Sequence, residues 1–152
     1  MDLKSRINED IKTAMKAKEK VRLETVRSIK KMLLEKEISA RGQGQEVLTE
    51  AQEIEVLVQQ AKQRRDAIEQ YQQVGRDDLA DHEAQELAII EEYLPRQLSD
   101  SEIEAIVDEL IAEVGAISPR DMGKVMGPAM QRLKGQADGK KIQALVKAKL
   151  SN

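Results

Sequence analysis

Cysteine, phenylalanine and tryptophan are absent from this 152-residue sequence, and histidine occurs once. Without cysteine there are no disulfides, no thiolate metal centres and no thiol nucleophile for releasing ammonia from glutamine. With aromatics limited to Tyr71 and Tyr93, the core must be built from Leu, Ile, Val, Met and Ala. Those residues, together with abundant Glu, Lys, Gln and Arg, favour helices. No run approaches eighteen uninterrupted apolar residues, so no membrane partner is expected. The opening MDLKSRINED has no apolar stretch of the kind an export signal requires, and a cytoplasmic location is the expectation.

Charge is plentiful but segregated. Residues 1–41 carry 12 basic against 7 acidic groups, residues 42–94 carry 4 against 13, and residues 118–152 carry 8 against 2. Local excesses of this kind steer anionic partners even when the net charge is −3, and they also occur on ordinary solvated helix faces.

Apolar residues recur at helical spacing along the whole chain, and no strand-like alternation appears. Asp2 caps a first helix carrying Leu3, Ile7, Ile11, Ala14 and Met15. A second runs over about 21–40 and ends at the glycines 42 and 44. Thr49 and Gln52 form a capping box for a third, whose stripe is Ile54, Leu57, Val58, Ala61, Ile68 and Tyr71, with Gly75 as its stop. A fourth begins near Asp77 and carries Leu79, Leu87, Ile90 and Leu94, before Pro95 forbids continuation. Ser99 and Glu102 make a second capping box, with Leu98 and Ile103 placed as a hydrophobic staple, and Gly115 closes that helix. Ser118 and Pro119 are read as the cap and first turn of a sixth, with Met122, Val125, Met126, Ala129, Met130 and Leu133 inward. Pro128 predicts a kink or break within it. Asp138 caps a last helix with Ile142, Leu145, Val146 and Leu150 inward, on whose apolar face Lys149 is expected to snorkel or fray. The fold class is therefore all-α, with an N-terminal long-helix hairpin or bundle over 1–94 and a compact three-helix domain over 95–152.

Catalytic constellations are scarce. His82 falls one turn from both Asp78 and Glu86, which would align a candidate metal set, but a solvated acidic face explains the same spacing and no metal is assigned. Ser99 and Ser118 are accounted for as caps, leaving no nucleophile with a matching base. GQADGKK at 135–141 is one spacer short of the nucleotide loop GxxxxGK[ST] and has Lys141 where a hydroxyl belongs, so no nucleotide and no cofactor is expected.

The basic residues near the C-terminus form the candidate site. Arg120, Lys124 and Lys134 fall opposite the methionine stripe, Arg132 lies on the same segment, and Lys140, Lys141 and Lys147 cluster beyond the Gly135 turn. Such a corner can contact phosphates, aided by the amides at the start of the last helix. With no aromatic in this segment, any RNA would be read by backbone and shape. Gly123 and Gly127 are read as positions of close helix approach. The methionines at 122, 126 and 130 are either core filling or an adaptable groove for a protein partner.

Four stretches, RLETVRSIK, QRRDAIEQYQQVGRDDLA, EEYLPRQLS and the pair DMGKVMG with KGQADGK, closely resemble the YqeY-like proteins. These are stand-alone relatives of the C-terminal part of GatB, the tRNA-binding component of the bacterial Asp/Glu-tRNA amidotransferase. The resemblance spans essentially the whole chain and implies an all-helical fold with a three-helix tail. It implies binding of tRNA or another structured RNA, with amidotransferase or tRNA-processing proteins as candidate partners. Lys124, Lys134, Gly135, Ala137 and Asp138 fall on the shared motif, while Gln136 replaces a usual basic residue and removes one phosphate contact. The family also carries a label of carbon–nitrogen ligase activity with glutamine as amide donor. This chain has no parts for ATP use or ammonia release, so a non-catalytic module is the reading; the alternative is a helical protein–protein adapter with no RNA role.

Overall fold

A computed structural model describes residues 1–151. Seven α-helices and one short 3₁₀ turn occur among them, and no strand. The chain divides into two compact units, Met1–Leu94 and Pro95–Asn152.

The first unit contains α1 (Leu3–Ala17), α2 (Lys20–Gly42), α3 (Glu50–Gln73) and α4 (Asp77–Glu91). Its core joins Ile7 of α1, Val26, Ile29 and Leu33 of α2, Leu57 of α3 and Ile90 of α4. The caps read from sequence are made. Asp2 accepts from the Ser5 amide at 2.8 Å. Thr49 accepts from Gln52 N at 3.2 Å while Gln52 Oε1 accepts from Thr49 N at 2.9 Å. Among the buried side chains that the sequence stripes do not include are Val56 and Gln60, the latter 3% exposed. The Gln60 amide faces a polar cavity of about 80 Å³ lined also by Glu24, Thr25, Ser28, Arg64 and Glu86. Tyr93, also buried, donates its hydroxyl hydrogen to Asp10, and the Arg6 guanidinium lies 4.6 Å above its ring. Burial first, and then that hydrogen bond, push the Tyr93 hydroxyl well above its ordinary pKa.

The second unit contains α5 (Asp100–Val114), α6 (Met122–Arg132) and α7 (Gly139–Leu150), closed around Ile103, Val107, Val125, Leu133, Ile142 and Val146. Ser99 and Glu102 form the reciprocal capping box, and Leu98 packs against the cluster that contains Ile103, as the staple requires. Gly115 ends α5 in the left-handed region at φ 69°.

Several details of α6 differ from expectation. Ser118 makes no side-chain cap; Pro119–Asp121 forms a 3₁₀ turn instead, and Asp121 reaches back to accept from the Ile117 amide at 3.0 Å. Of the kink or break expected near Pro128, the break is absent, for α6 runs from Met122 to Arg132 with Pro128 inside it. Pro128 and Lys124 are both exposed, so the ring and the turn whose hydrogen bond it removes lie away from the core. Gly123 and Gly127 are not packed against anything either: a β-carbon at either would meet nothing within 4 Å, so neither marks close approach. The close contact is at Gly139, where a β-carbon would come within 3.1 Å of the Met130 methyl. Met130 accordingly leaves the inward stripe and lies 44% exposed.

Candidate nucleic-acid interface

The basic corner of the second unit is built by the end of α6, the turn after it and the start of α7. Gly135 supplies the turn with φ 78°, a conformation that costs a residue with a side chain roughly 1 kcal/mol. The turn is then clasped by the segment that precedes α5. Gln97 Nε2 donates to the Gly135 carbonyl at 2.7 Å, and the Leu98 amide donates to the Gln136 carbonyl at 2.9 Å. The Gln136 side chain donates in turn to the Arg96 carbonyl at 3.4 Å. Gly135 itself is buried. Gln136, read from sequence as a lost phosphate contact, belongs to this clasp.

The basic residues do not stand apart from acidic ones. Along α5, Asp100, Glu104 and Asp108 recur every four residues and so share one helix face. Lys141 and Lys149 of α7, two turns apart, meet that face: Lys141 Nζ lies 2.8 Å from Asp100, and Lys149 Nζ lies 2.6 Å from Glu104 and 3.2 Å from Asp108. Fraying at Lys149 is not seen, since α7 runs on to Leu150; its ammonium reaches outward to this ladder, because α5 and α7 pack side by side and bring the acids to it. The two carboxylates raise the Lys149 pKa above its ordinary value. Arg132 pairs with Glu109 at 3.0 Å, and Lys124 pairs with Asp121 at 3.4 Å. Arg120, Lys134, Lys140 and Lys147 are exposed on the same unit. The corner therefore exists, but four of its neighbouring cations are already opposite carboxylates of their own unit.

Other sequence candidates resolve into local pairs. His82 contacts Glu86 at 3.1 Å, while Asp78 pairs with Arg76, so the aligned trio does not converge. Glu86 also accepts from Arg64 at 2.9 Å, as does Glu83. The serine-based cap at Ser99 includes one strongly shifted acid: Glu102 is held down to about 2, first by its hydrogen bond from Arg96 and then by the Ser99 amide.

Comparison with known proteins places this geometry. A profile of Yqey-like proteins matches residues 4–150. The chain is 30% identical over 152 residues to "Altered inheritance of mitochondria protein 41, mitochondrial" of Pyrenophora tritici-repentis, covering 95% of this chain and 81% of that protein. The protein of the same name from Lachancea thermotolerans is 32% identical over 121 residues, 78% of this chain and 63% of that protein. A shorter stretch of 57 residues is 40% identical to a glutamyl-tRNA(Gln) amidotransferase subunit of Thermococcus gammatolerans, 35% of this chain and 9% of that protein. The names of the mitochondrial relatives overturn the cytoplasmic expectation. The expectation weighed only apolar export signals, whereas mitochondrial targeting segments are amphipathic and basic. An all-helical chain matched almost from end to end belongs to the YqeY-like protein family.

Proposed function

We propose that the chain is a non-catalytic helical module that binds tRNA or another structured RNA through its phosphate backbone, with the α6–α7 corner as one contact. The observation that carries this reading is the 57-residue similarity to part of an enzyme named for glutamyl-tRNA(Gln). Exposed Arg120, Lys124, Lys134, Lys140 and Lys147 support it, because flexible cations on one small unit suit phosphate contacts that carry no base information. Partnership with an amidotransferase or a tRNA-processing protein follows from the same similarity. An amide-transfer reaction by the chain alone is not part of the reading.

Fluorescence anisotropy with total tRNA across a salt series tests it. Binding is expected to weaken steeply with salt, and to drop when Lys124, Lys134 and Lys140 are all changed to Gln. Absent or salt-insensitive binding would sink the reading. The adapter alternative is favoured by one observation: Leu34 and Ile38, one turn apart on α2, are exposed, and Leu34 lines an apolar pocket with Ile7 and Leu33. Tight protein capture that survives RNase and needs Leu34 and Ile38 would favour that alternative.

A further inference from the structure

Exposed lysines and arginines without an ion pair among the described residues occur along α2 and at the end of α1, and four of them meet where α1 ends and α2 begins. Lys16, Lys18, Lys20 and Arg27 are exposed there, and none forms an ion pair within the described residues. Arg27 reaches back to α1, its guanidinium 3.7 Å from the sulfur of Met15, which is itself exposed. This contact brings the second turn of α2 to the three lysines. The nearby carboxylates are engaged elsewhere. Glu19 and Glu92 both hold Arg22, at 3.0 and 2.9 Å, Asp10 accepts from Tyr93, and Glu9 lies 4.0 Å from Lys12. Glu24, one turn from both Lys20 and Arg27 on α2, lines the Gln60 cavity and forms no ion pair with either.

Two of these cations occupy places that local structure disfavours. Lys18 is the only residue other than glycine with positive φ among the described residues, at 58°, in the position where α5 uses Gly115. A side chain there costs roughly 1 kcal/mol relative to glycine. Lys20 is the first residue of α2, and a cation at a helix N-terminus opposes the macrodipole. Compensation of the α1 C-terminus accounts for Lys16 and Lys18, since cations are favourable there, but it does not account for Lys20. Lys20 therefore breaks a local preference without a structural return, as residues kept for another purpose do.

We infer that the α1–α2 corner is a second contact for the phosphodiester backbone of the RNA, formed by Lys16, Lys18, Lys20 and Arg27 around Met15. The inference rests on the RNA-binding reading and shifts the larger share of the electrostatic contact from the second unit to the first. Each cation that neutralises a phosphate displaces a counterion, so loss of four lowers the slope of log affinity against log salt by about 3 to 4.

The experiment compares the full-length chain with two variants against total tRNA in a salt series. One carries Lys16→Gln, Lys18→Gly, Lys20→Gln and Arg27→Gln; the other carries Lys124→Gln, Lys134→Gln and Lys140→Gln. The first is expected to lose at least tenfold in affinity at about 0.1 M salt, together with the drop in slope. Unchanged affinity and slope in that variant, with loss confined to the second, would overturn the α1–α2 contact and leave the RNA reading intact. No binding by the unaltered chain would overturn both, and adsorption to phosphatidylserine vesicles in its place would assign the corner to a membrane surface. Lys18→Gly alone separates charge from folding: it is expected to raise the melting temperature while lowering the salt slope by about 1. A folded Lys18→Gly variant with the original slope would remove Lys18 from the contact.

Discussion

The first unit buries Thr25 and Gln60 among its apolar side chains, whereas the second closes around apolar residues. Their surfaces differ in the opposite sense. The second pairs Lys141, Lys149, Arg132 and Lys124 with acids of its own, while the first leaves Lys16, Lys18, Lys20 and Arg27 unopposed. Net basic excess in a stretch of sequence is thus a poor measure of charge available to a partner. Residues 118–152 look more basic than residues 1–41, but α5 supplies the missing acids once the helices pack.

The contrast between interiors is sharpened most by core truncation. Leu133→Ala in the second unit and Ile29→Ala in the first each remove a fully buried side chain and are expected to destabilise by about 2–5 kcal/mol in urea unfolding. The next effect has the opposite sign. Gln60→Leu replaces a buried amide that faces a cavity with an apolar group of similar size, and is expected to stabilise the chain by about 1 kcal/mol. Destabilisation by that variant would mean that the amide has a binding or structural task, and would weaken the contrast.

Smaller effects test the second unit's dependence on local signals. Ser99→Ala removes the α5 cap and is expected to cost about 1 kcal/mol by the same unfolding assay. Glu102 then gives a pH-dependent readout. Its folded pKa of about 2 lies below the ordinary 4.5, so its stabilising effect is present above about pH 4.5 and is lost as pH falls toward 2. Carboxyl NMR titration is expected to find that low value and to find it raised in Arg96→Gln, because the Arg96 hydrogen bond is its largest cause.

What was legible in the sequence follows the same division. Capping boxes at Thr49 and Ser99 and the stop at Gly115 were readable because donor, acceptor and helix start lie within a few residues. The family resemblance was readable for the same local reason, in runs such as DMGKVMG. Gln60 was not, since a glutamine at the edge of an apolar stripe looks like surface until α2 and α4 cover it. Nor was the α5–α7 ladder, whose partners lie 41 and 45 residues apart. Gly123 and Gly127 misled by type: glycine permits close approach but does not demand it, and the demanding one was Gly139. Of the proposed RNA-contact residues, sequence identified the charged side chains but could not say which were already opposed.

The clasp between Gln97, Leu98 and the turn at residues 135–136 bears on how the three-helix unit could be moved between proteins. A fragment cut at the Ser99 cap would retain α5, α6 and α7 with both capping partners, and by helix boundaries alone it would look complete. It would nonetheless leave the Gly135 and Gln136 carbonyls without their donors and the basic turn untethered. Transplantation into another chain must therefore begin at residue 95, so that the apparent linker travels as part of the cargo.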